Sequence, residues 1–451
     1  MTDFVLSGCY VVTMDGIRAE HASGFVAVSG NQITAVGAGA VPAEFAHLRV
    51  IDAAGCVVTP GLINTHHHLY QWATRGRAVD STLFQWLTEL YPVWARIDAQ
   101  IVRDAATAAL GWLARTGCTT STDHHYVFPH GGGDVLGATV AAARDVGLRF
   151  HPTRGSMDLG ASSGGLPPDE VTEDLDTILA ATAAAIDAFH DPSPGSMLRM
   201  GIAPCSPFSV TGELMRAAAG LARDRAVRLH THLAETVDEQ EFCSEKFGCT
   251  PAEYLDSLDW LAGDVWLAHC VHLDDAAIVR LAATGTGVAH CPSSNARLGA
   301  GICRTPGLIA AGVPVGLGVD GSASNEESSL IGEARQAVLM ARAAGGPQAL
   351  TVRQALELAT LGGARLIGRA DELGSLEPGK LADLALWRLD GLQHANVADP
   401  VAALVLGGRP PLELLVVNGE IVVERDRLLT VDEHAAAAAA VRAAAALPPP
   451  T

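Results

Sequence analysis

Apolar and polar residues alternate at both ends of the chain and follow a longer period in between. Residues 4–12, 25–28 and 32–36 read as short strands, the last two joined across Ser29-Gly30-Asn31, a hairpin signal. Near the other end, residues 414–417 and 420–423 flank Asn418-Gly419, the strongest short-range hairpin dipeptide, and 384–387 add another strand. The two β-rich ends are expected to pair into one small sheet domain that encloses the rest.

Between about residues 57 and 370 the pattern becomes short apolar strands alternating with Ala/Leu-rich stretches of helical period, such as 105–115, 136–146, 175–189, 213–223 and 276–283. About eight such units can be counted. Their strands end at His66, Asp123, Thr153, Pro204, His232, His269, His290 and Asp320. The fold class this predicts is α/β: a (β/α)8 TIM-type barrel with a small β-sandwich formed by both termini. Residues 1–58 and 371–432 are expected to build the sandwich, 59–370 the barrel, and 433–451 an Ala-rich helical tail. An open doubly wound sheet is the alternative, but no Gly-x-Gly-x-x-Gly turn follows the first strand.

Composition narrows the class of function. Of 451 residues, 49% are hydrophobic and 18% charged, which suits a large buried core. Lys+Arg number 30 against 50 Asp+Glu, a net charge of −20, so nucleic acid and anionic membranes are not expected partners. Nine cysteines stand singly, with no Cys-x-x-Cys pair, which reads as reduced thiols. The N-terminus lacks the basic and apolar regions of a secretory signal, and no apolar run reaches the ~18 residues of a membrane span. A cytoplasmic location is expected.

The strand ends carry the chemistry, where a barrel of this kind places its active site. In an extended segment residues i and i+2 share a face, so His66 and His68 of Asn64-Thr-His-His-His68 can hold one metal ion while His67 points away. His230-Thr-His232 repeats the spacing, with His232 a third ligand and Glu235 placed to act as general acid/base. Asp320 offers a carboxylate oxygen at the eighth strand end. His269 and His290 both qualify as a further ligand or as an imidazole that polarises the reacting groups. Three neutral imidazoles and a carboxylate select one divalent ion, Zn²⁺ first, with Fe²⁺ and Mn²⁺ also compatible. The chain has only two lysines, Lys246 and Lys380, and neither lies near the fourth strand end, Ile202-Ala-Pro-Cys-Ser206. Binuclear barrels that this arrangement resembles bridge their two ions with a lysine at that strand end, so the resemblance implies a mononuclear site here.

Taken together, Pro60-Gly-Leu-Ile-Asn-Thr-His-His-His68, His232-Leu-Ala-Glu235, Ala268-His-Cys270, Val319-Asp-Gly-Ser-Ala-Ser-Asn325 and Gly374-Ser-Leu-Glu-Pro-Gly-Lys-Leu-Ala-Asp-Leu384 resemble the amidohydrolase superfamily, in its branch of hydrolytic aminohydrolases. The resemblance spans essentially the whole chain. It implies His66, His68, His232 and Asp320 as metal ligands, Glu235 as proton shuttle, and His269 with Asp320 steadying the attacking hydroxide. Segments such as Thr119 to Tyr126, Thr153-Arg-Gly-Ser-Met157 and Cys291-Pro-Ser-Ser-Asn295 are most similar to members acting on oxidised purines. The activity so implied is hydrolysis of 8-oxoguanine to urate and ammonia by a homo-oligomer. Triazine, isoxanthopterin, pterin and guanine-like substrates share much of the frame. Gln71, Trp86 and Arg154 are the candidates for holding the purine, although Trp86 equally suits a core position and Arg154 an ion pair. A ring-opening cyclic amidohydrolase is disfavoured by the missing lysine. A metal-stabilised scaffold is disfavoured by Glu235 beside an open coordination position.

Overall fold

The computed structural model describes residues 3–449. Met1, Thr2, Pro450 and Thr451, on which the readings of the leader and of the tail partly fall, lie outside the described residues. Eight parallel strands form one sheet in chain order: Leu62–Asn64, Cys118–His125, Arg149–Ser156, Gly201–Pro204, Arg228–Leu233, Val265–His269, Gly287–His290 and Val315–Leu317. Helices fill the connections, as the alternating periods predict. The first and last strands have three residues each, too few for a full ladder, and the seam between them is closed by loop backbone and side chains. Thr65 donates its N–H and its hydroxyl to the Leu317 carbonyl, at 3.0 and 2.8 Å. Asn64 Oδ1 accepts from Val319 N at 2.9 Å, and Asp320 N donates to the His66 carbonyl at 3.0 Å. These bonds tie the first strand end to the eighth, where the ligand candidates stand.

The termini form a second, mostly antiparallel sheet. Cys56–Pro60 from the N-terminal half pairs with Leu384–Arg388 from the C-terminal half, with Leu386 opposite Val58. The ladder continues through Pro60, past the boundary read at residue 58, because Leu384 stands opposite Pro60. The sheet curls on itself around a core that includes Phe4, Leu6, Val26, Val58, Leu386 and Val416. The Gly30-Asn31 and Asn418-Gly419 turns meet where Asn31 Nδ2 donates to Asn418 Oδ1 at 3.3 Å.

Gly61 then carries the chain straight into the first barrel strand, and a Cβ there would come within 2.2 Å of Thr119. The sandwich thus anchors the segment that delivers His66 and His68. A second anchor is the fully buried pair of Arg149, at the start of the third barrel strand, and Asp383 of the sheet domain, which are joined by two bonds of 3.1 and 3.0 Å. Such bidentate, charge-assisted bonds fix orientation as well as energy. The tail forms the helix Glu433–Ala446 and packs on Ala99–Arg115. Among the described residues no helix is long and apolar enough to cross a membrane.

Candidate metal-dependent active site

At the C-terminal ends of the barrel strands, His66, His68, His232 and Asp320 converge although they come from three different strand ends. His68 Nε2 lies 3.2 Å from His232 Nε2, and Asp320 Oδ1 lies 3.3 Å from both His66 Nε2 and His68 Nε2. The backbone turns sharply to aim these groups. Ala234, His269 and Asp320 take φ values of 50°, 70° and 62°, a left-handed region that non-glycine residues occupy at a cost of about 1–3 kcal/mol each and that clusters at functional sites.

The bonds made by the other ring nitrogens fix which nitrogen faces the centre. His68 Nδ1 lies 2.7 Å from the His124 carbonyl and His232 Nδ1 lies 2.6 Å from the Cys205 carbonyl. A carbonyl only accepts, so both Nδ1 atoms carry the proton and both Nε2 atoms present a lone pair. His230 Nδ1 donates to the Trp266 carbonyl at 2.8 Å, leaving its Nε2 to accept from His66 Nδ1 at 2.8 Å. His66 Nε2 is buried and has no hydrogen-bond partner among the described residues. Burial holds His66 and His232 well below the ordinary histidine pKa and keeps them neutral. Imidazole nitrogens of His66, His68 and His232 and a carboxylate oxygen of Asp320, gathered at one end of the barrel, match the donor chemistry of a divalent ion. Four ligands at about 2.0–2.1 Å in tetrahedral array stand about 3.3 Å apart, and the His68–His232, Asp320–His66 and Asp320–His68 separations are 3.2, 3.3 and 3.3 Å.

The remaining functional candidates flank this centre. Asp320 Oδ2 accepts from Ser294 Oγ at 2.5 Å and Ser324 Oγ at 3.2 Å, while its Oδ1 accepts from Gly321 N at 2.7 Å. His269 Nε2 lies 3.6 Å from Glu235 Oε2 and 4.0 Å from Asp320 Oδ2, and its Nδ1 is held by Asn295 Oδ1 at 3.0 Å. The Glu235 backbone is fixed by Glu239, whose carboxylate accepts from Ala234 N and Glu235 N at 2.8 and 3.1 Å. Burial, reinforced by the nearby Asp320 and Glu239 carboxylates, pushes the Glu235 carboxyl well above its usual pKa. Such a group retains a proton it can deliver.

His68, His232, Glu235, His269 and Asp320 line a cavity whose other walls include Gln71, Trp86, Tyr91 and Phe208. Gln71 is fully buried and neither atom of its amide has a partner among the described residues. Trp86 serves both roles open to it: it lines the cavity, and its indole N–H is tied to the Ala323 carbonyl at 3.2 Å. Arg154 is not brought to the cavity. Its guanidinium bonds both oxygens of Glu173, at 2.8 and 2.7 Å, and lies over the Phe128 ring with Cζ 4.1 Å from the ring centroid. His290 stands outside the ligand cluster, whereas His124, with Nδ1 unpartnered among the described residues, joins it. A larger cleft of about 450 Å³ between Ala99–Arg115 and the C-terminal helix contains no histidine, and its Arg115 and Glu433 pair with each other.

Sequence reasoning missed the supporting residues: His230 and Trp266 behind His66, Ser294 and Ser324 on Asp320, Asn295 on His269, and Glu239 on the Glu235 backbone. Ser294 and Asn295 lie in a motif already noted, but only the fold shows what they bond.

The profile described as "Amidohydrolase family" matches residues 57–422. Among curated proteins, an 8-oxoguanine deaminase of Pseudomonas aeruginosa is 47% identical over 411 residues, covering 91% of each chain. An isoxanthopterin deaminase from an unknown prokaryotic organism is 38% identical, covering 90% of this chain and 88% of its own. Among solved structures, an atrazine chlorohydrolase of Arthrobacter aurescens complexed with zinc superposes with a TM-score of 0.91 at 34% identity, over 98% of this chain and all 100% of its own.

Proposed function

Because the chain belongs to the amidohydrolase family and is a metal-dependent hydrolytic deaminase, we propose that its substrate is 8-oxoguanine, converted with water to urate and ammonia. The observation that carries the reading is the pairing, in one cavity, of a proton-retaining Glu235 with His68, His232 and Asp320, behind which His66 converges on the same carboxylate. The relative of 47% identity supports the choice of substrate.

These four side chains would hold one ion, Zn²⁺ by the softness of the donor set, with Fe²⁺ or Mn²⁺ as alternatives. When bound, such an ion lowers the pKa of water from about 15.7 toward about 7 and so supplies a nucleophile at neutral pH. A mononuclear site agrees with the placement of Lys380, whose Nζ is bound to the Ala370 carbonyl and Ser375 Oγ in the sheet domain.

Glu235 moves one proton from the attacking water to the ring nitrogen beside the amino-bearing carbon. It then passes the second proton, from the new hydroxyl, to the departing amine, so that the C–N bond breaks as the carbonyl forms. His269, its Nδ1–H committed to Asn295, turns the Nε2 lone pair toward Glu235 Oε2, 3.6 Å away, and toward the attacking oxygen. Asp320, its Oδ2 loaded by two serines, steadies the attacking oxygen. Gln71 offers one donor and one acceptor to a lactam edge of the purine, and Trp86 forms the apolar wall beside it.

Hydrolysis of a pterin amine is the second reading, supported by the isoxanthopterin deaminase relative. Ammonia release and urate formation from 8-oxoguanine test the first directly. Faster turnover of isoxanthopterin or a hydroxytriazine in the same panel would replace the substrate and leave the chemistry standing. The free state of all nine cysteines supports placing the protein in a reducing cytoplasm.

A further inference from the structure

His230 and Trp266 are register partners on the fifth and sixth barrel strands. His230 lies two residues before His232 and therefore faces the same interior, one layer below the ligand cluster. Both residues are buried, and their rings stack with centroids 4.5 Å apart and planes 19° from parallel. Trp266 bonds at two points. Its carbonyl accepts from His230 Nδ1 at 2.8 Å, and its indole N–H donates to the Thr65 carbonyl at 3.0 Å. Since Thr65 precedes His66, the contacts close a ring: His66 Nδ1 to His230 Nε2, His230 Nδ1 to the Trp266 carbonyl, and the Trp266 indole back to the backbone beside His66.

The ring has a directional consequence. The Trp266 carbonyl can only accept, so it places the His230 proton on Nδ1 and leaves Nε2 as an acceptor. That acceptor in turn places the His66 proton on Nδ1, and the His66 lone pair must then lie on Nε2, facing Asp320. Among the three cluster imidazoles, His68 and His232 have their tautomers set by a carbonyl bonded directly, whereas His66 receives the same instruction through a second imidazole.

We propose that His230 and Trp266 are positioning residues that hold His66 in its metal-accepting tautomer and orientation, and so set the affinity of the site for its divalent ion. This rests on the reading of the cluster as a metal site. Hydrogen-bond partners of ligating histidines typically contribute 10- to 100-fold to metal affinity.

The test is competition for Zn²⁺ between the full-length protein and a chromophoric chelator. His230→Phe keeps the stacked ring and removes the acceptor, and its affinity should fall about 10- to 100-fold. His230→Gln restores an acceptor and should recover most of that loss, which a merely structural role would not produce. Trp266→Phe, lacking the bond to Thr65, should fall between the two. Nitrogen chemical shifts in the unmutated, metal-free protein provide a check that needs no variant to fold: His66 Nε2 should be of the unprotonated type. Equal affinity in His230→Phe and the unmutated protein, or a protonated His66 Nε2, would overturn the proposal. Failure of the unmutated protein to bind any divalent ion would instead overturn the metal reading, and this proposal with it.

Discussion

His68 Nε2 and His232 Nε2 face each other at 3.2 Å with no proton between them, because each ring has its Nδ1 proton committed to a backbone carbonyl. Two lone pairs at that distance repel unless a cation stands between them. Stripping the metal with a strong chelator should therefore abolish turnover and lower Tm, and one equivalent of Zn²⁺ should restore both. At a free ion concentration of 100 Kd the linkage is worth about 2.7 kcal/mol of folding stability. Elemental analysis should find about one ion per chain; two tightly held ions would contradict the mononuclear site.

Glu235→Gln should retain the metal and lose about 10²-fold or more in turnover, the usual contribution of a positioned acid/base. The substitution removes the mobile proton without emptying the space, and the backbone bonds to Glu239 do not involve the altered side chain. Unchanged turnover in the metal-loaded variant would remove Glu235 from the proton path.

Arg154→Met separates two roles for one residue. Arg154 is buried and doubly bonded to Glu173, so its loss strands a largely buried carboxylate and should cost about 3 kcal/mol in denaturant unfolding. KM should change by less than about 3-fold, since ground-state binding to the substrate is not being removed. A large rise in KM at unchanged stability would place Arg154 at the substrate after all.

Glu333 supports the Asp320 loop by accepting from Ser293 N at 3.0 Å and Asn325 Nδ2 at 2.8 Å. Burial raises its pKa to about 8 from an ordinary value near 4.5. The folded state then binds a proton that the unfolded chain has released, and the stability this confers is full below about pH 4.5 and lost as pH rises through about 8. Glu333→Gln cannot ionise, so its Tm relative to the unmutated protein should improve steadily between pH 5 and 8. A difference that stays constant, or moves the other way, would show that Glu333 is ionised in the folded state.

Much of the barrel and of the ligand set was legible in the sequence because the governing rules are local. Alternation along a strand puts His66 and His68 on one face, and the change from two-residue to helical period marks the passage from terminal sheet to barrel. Donor type admits Asp320 and His232 as ligands of a divalent ion but admits His269 and His290 equally, and only the fold separates them. Arg154 shows where that reasoning stops, since a motif gives the residue but not its partner, and Glu173 becomes that partner only after the following loop folds back.

The sequence by itself determined the order of elements, the strand ends that carry chemistry and the absence of a bridging lysine near the fourth strand, all consequences of residue type and short-range spacing. Only the tertiary structure decided which donors meet, which ring nitrogen each histidine presents, and which carboxyl holds its proton. The physical reason is that tautomer and pKa are set by groups far apart in the chain, such as Trp266 for His230, Cys205 for His232 and Asp320 for Glu235, and by a burial that exists only once the barrel has closed.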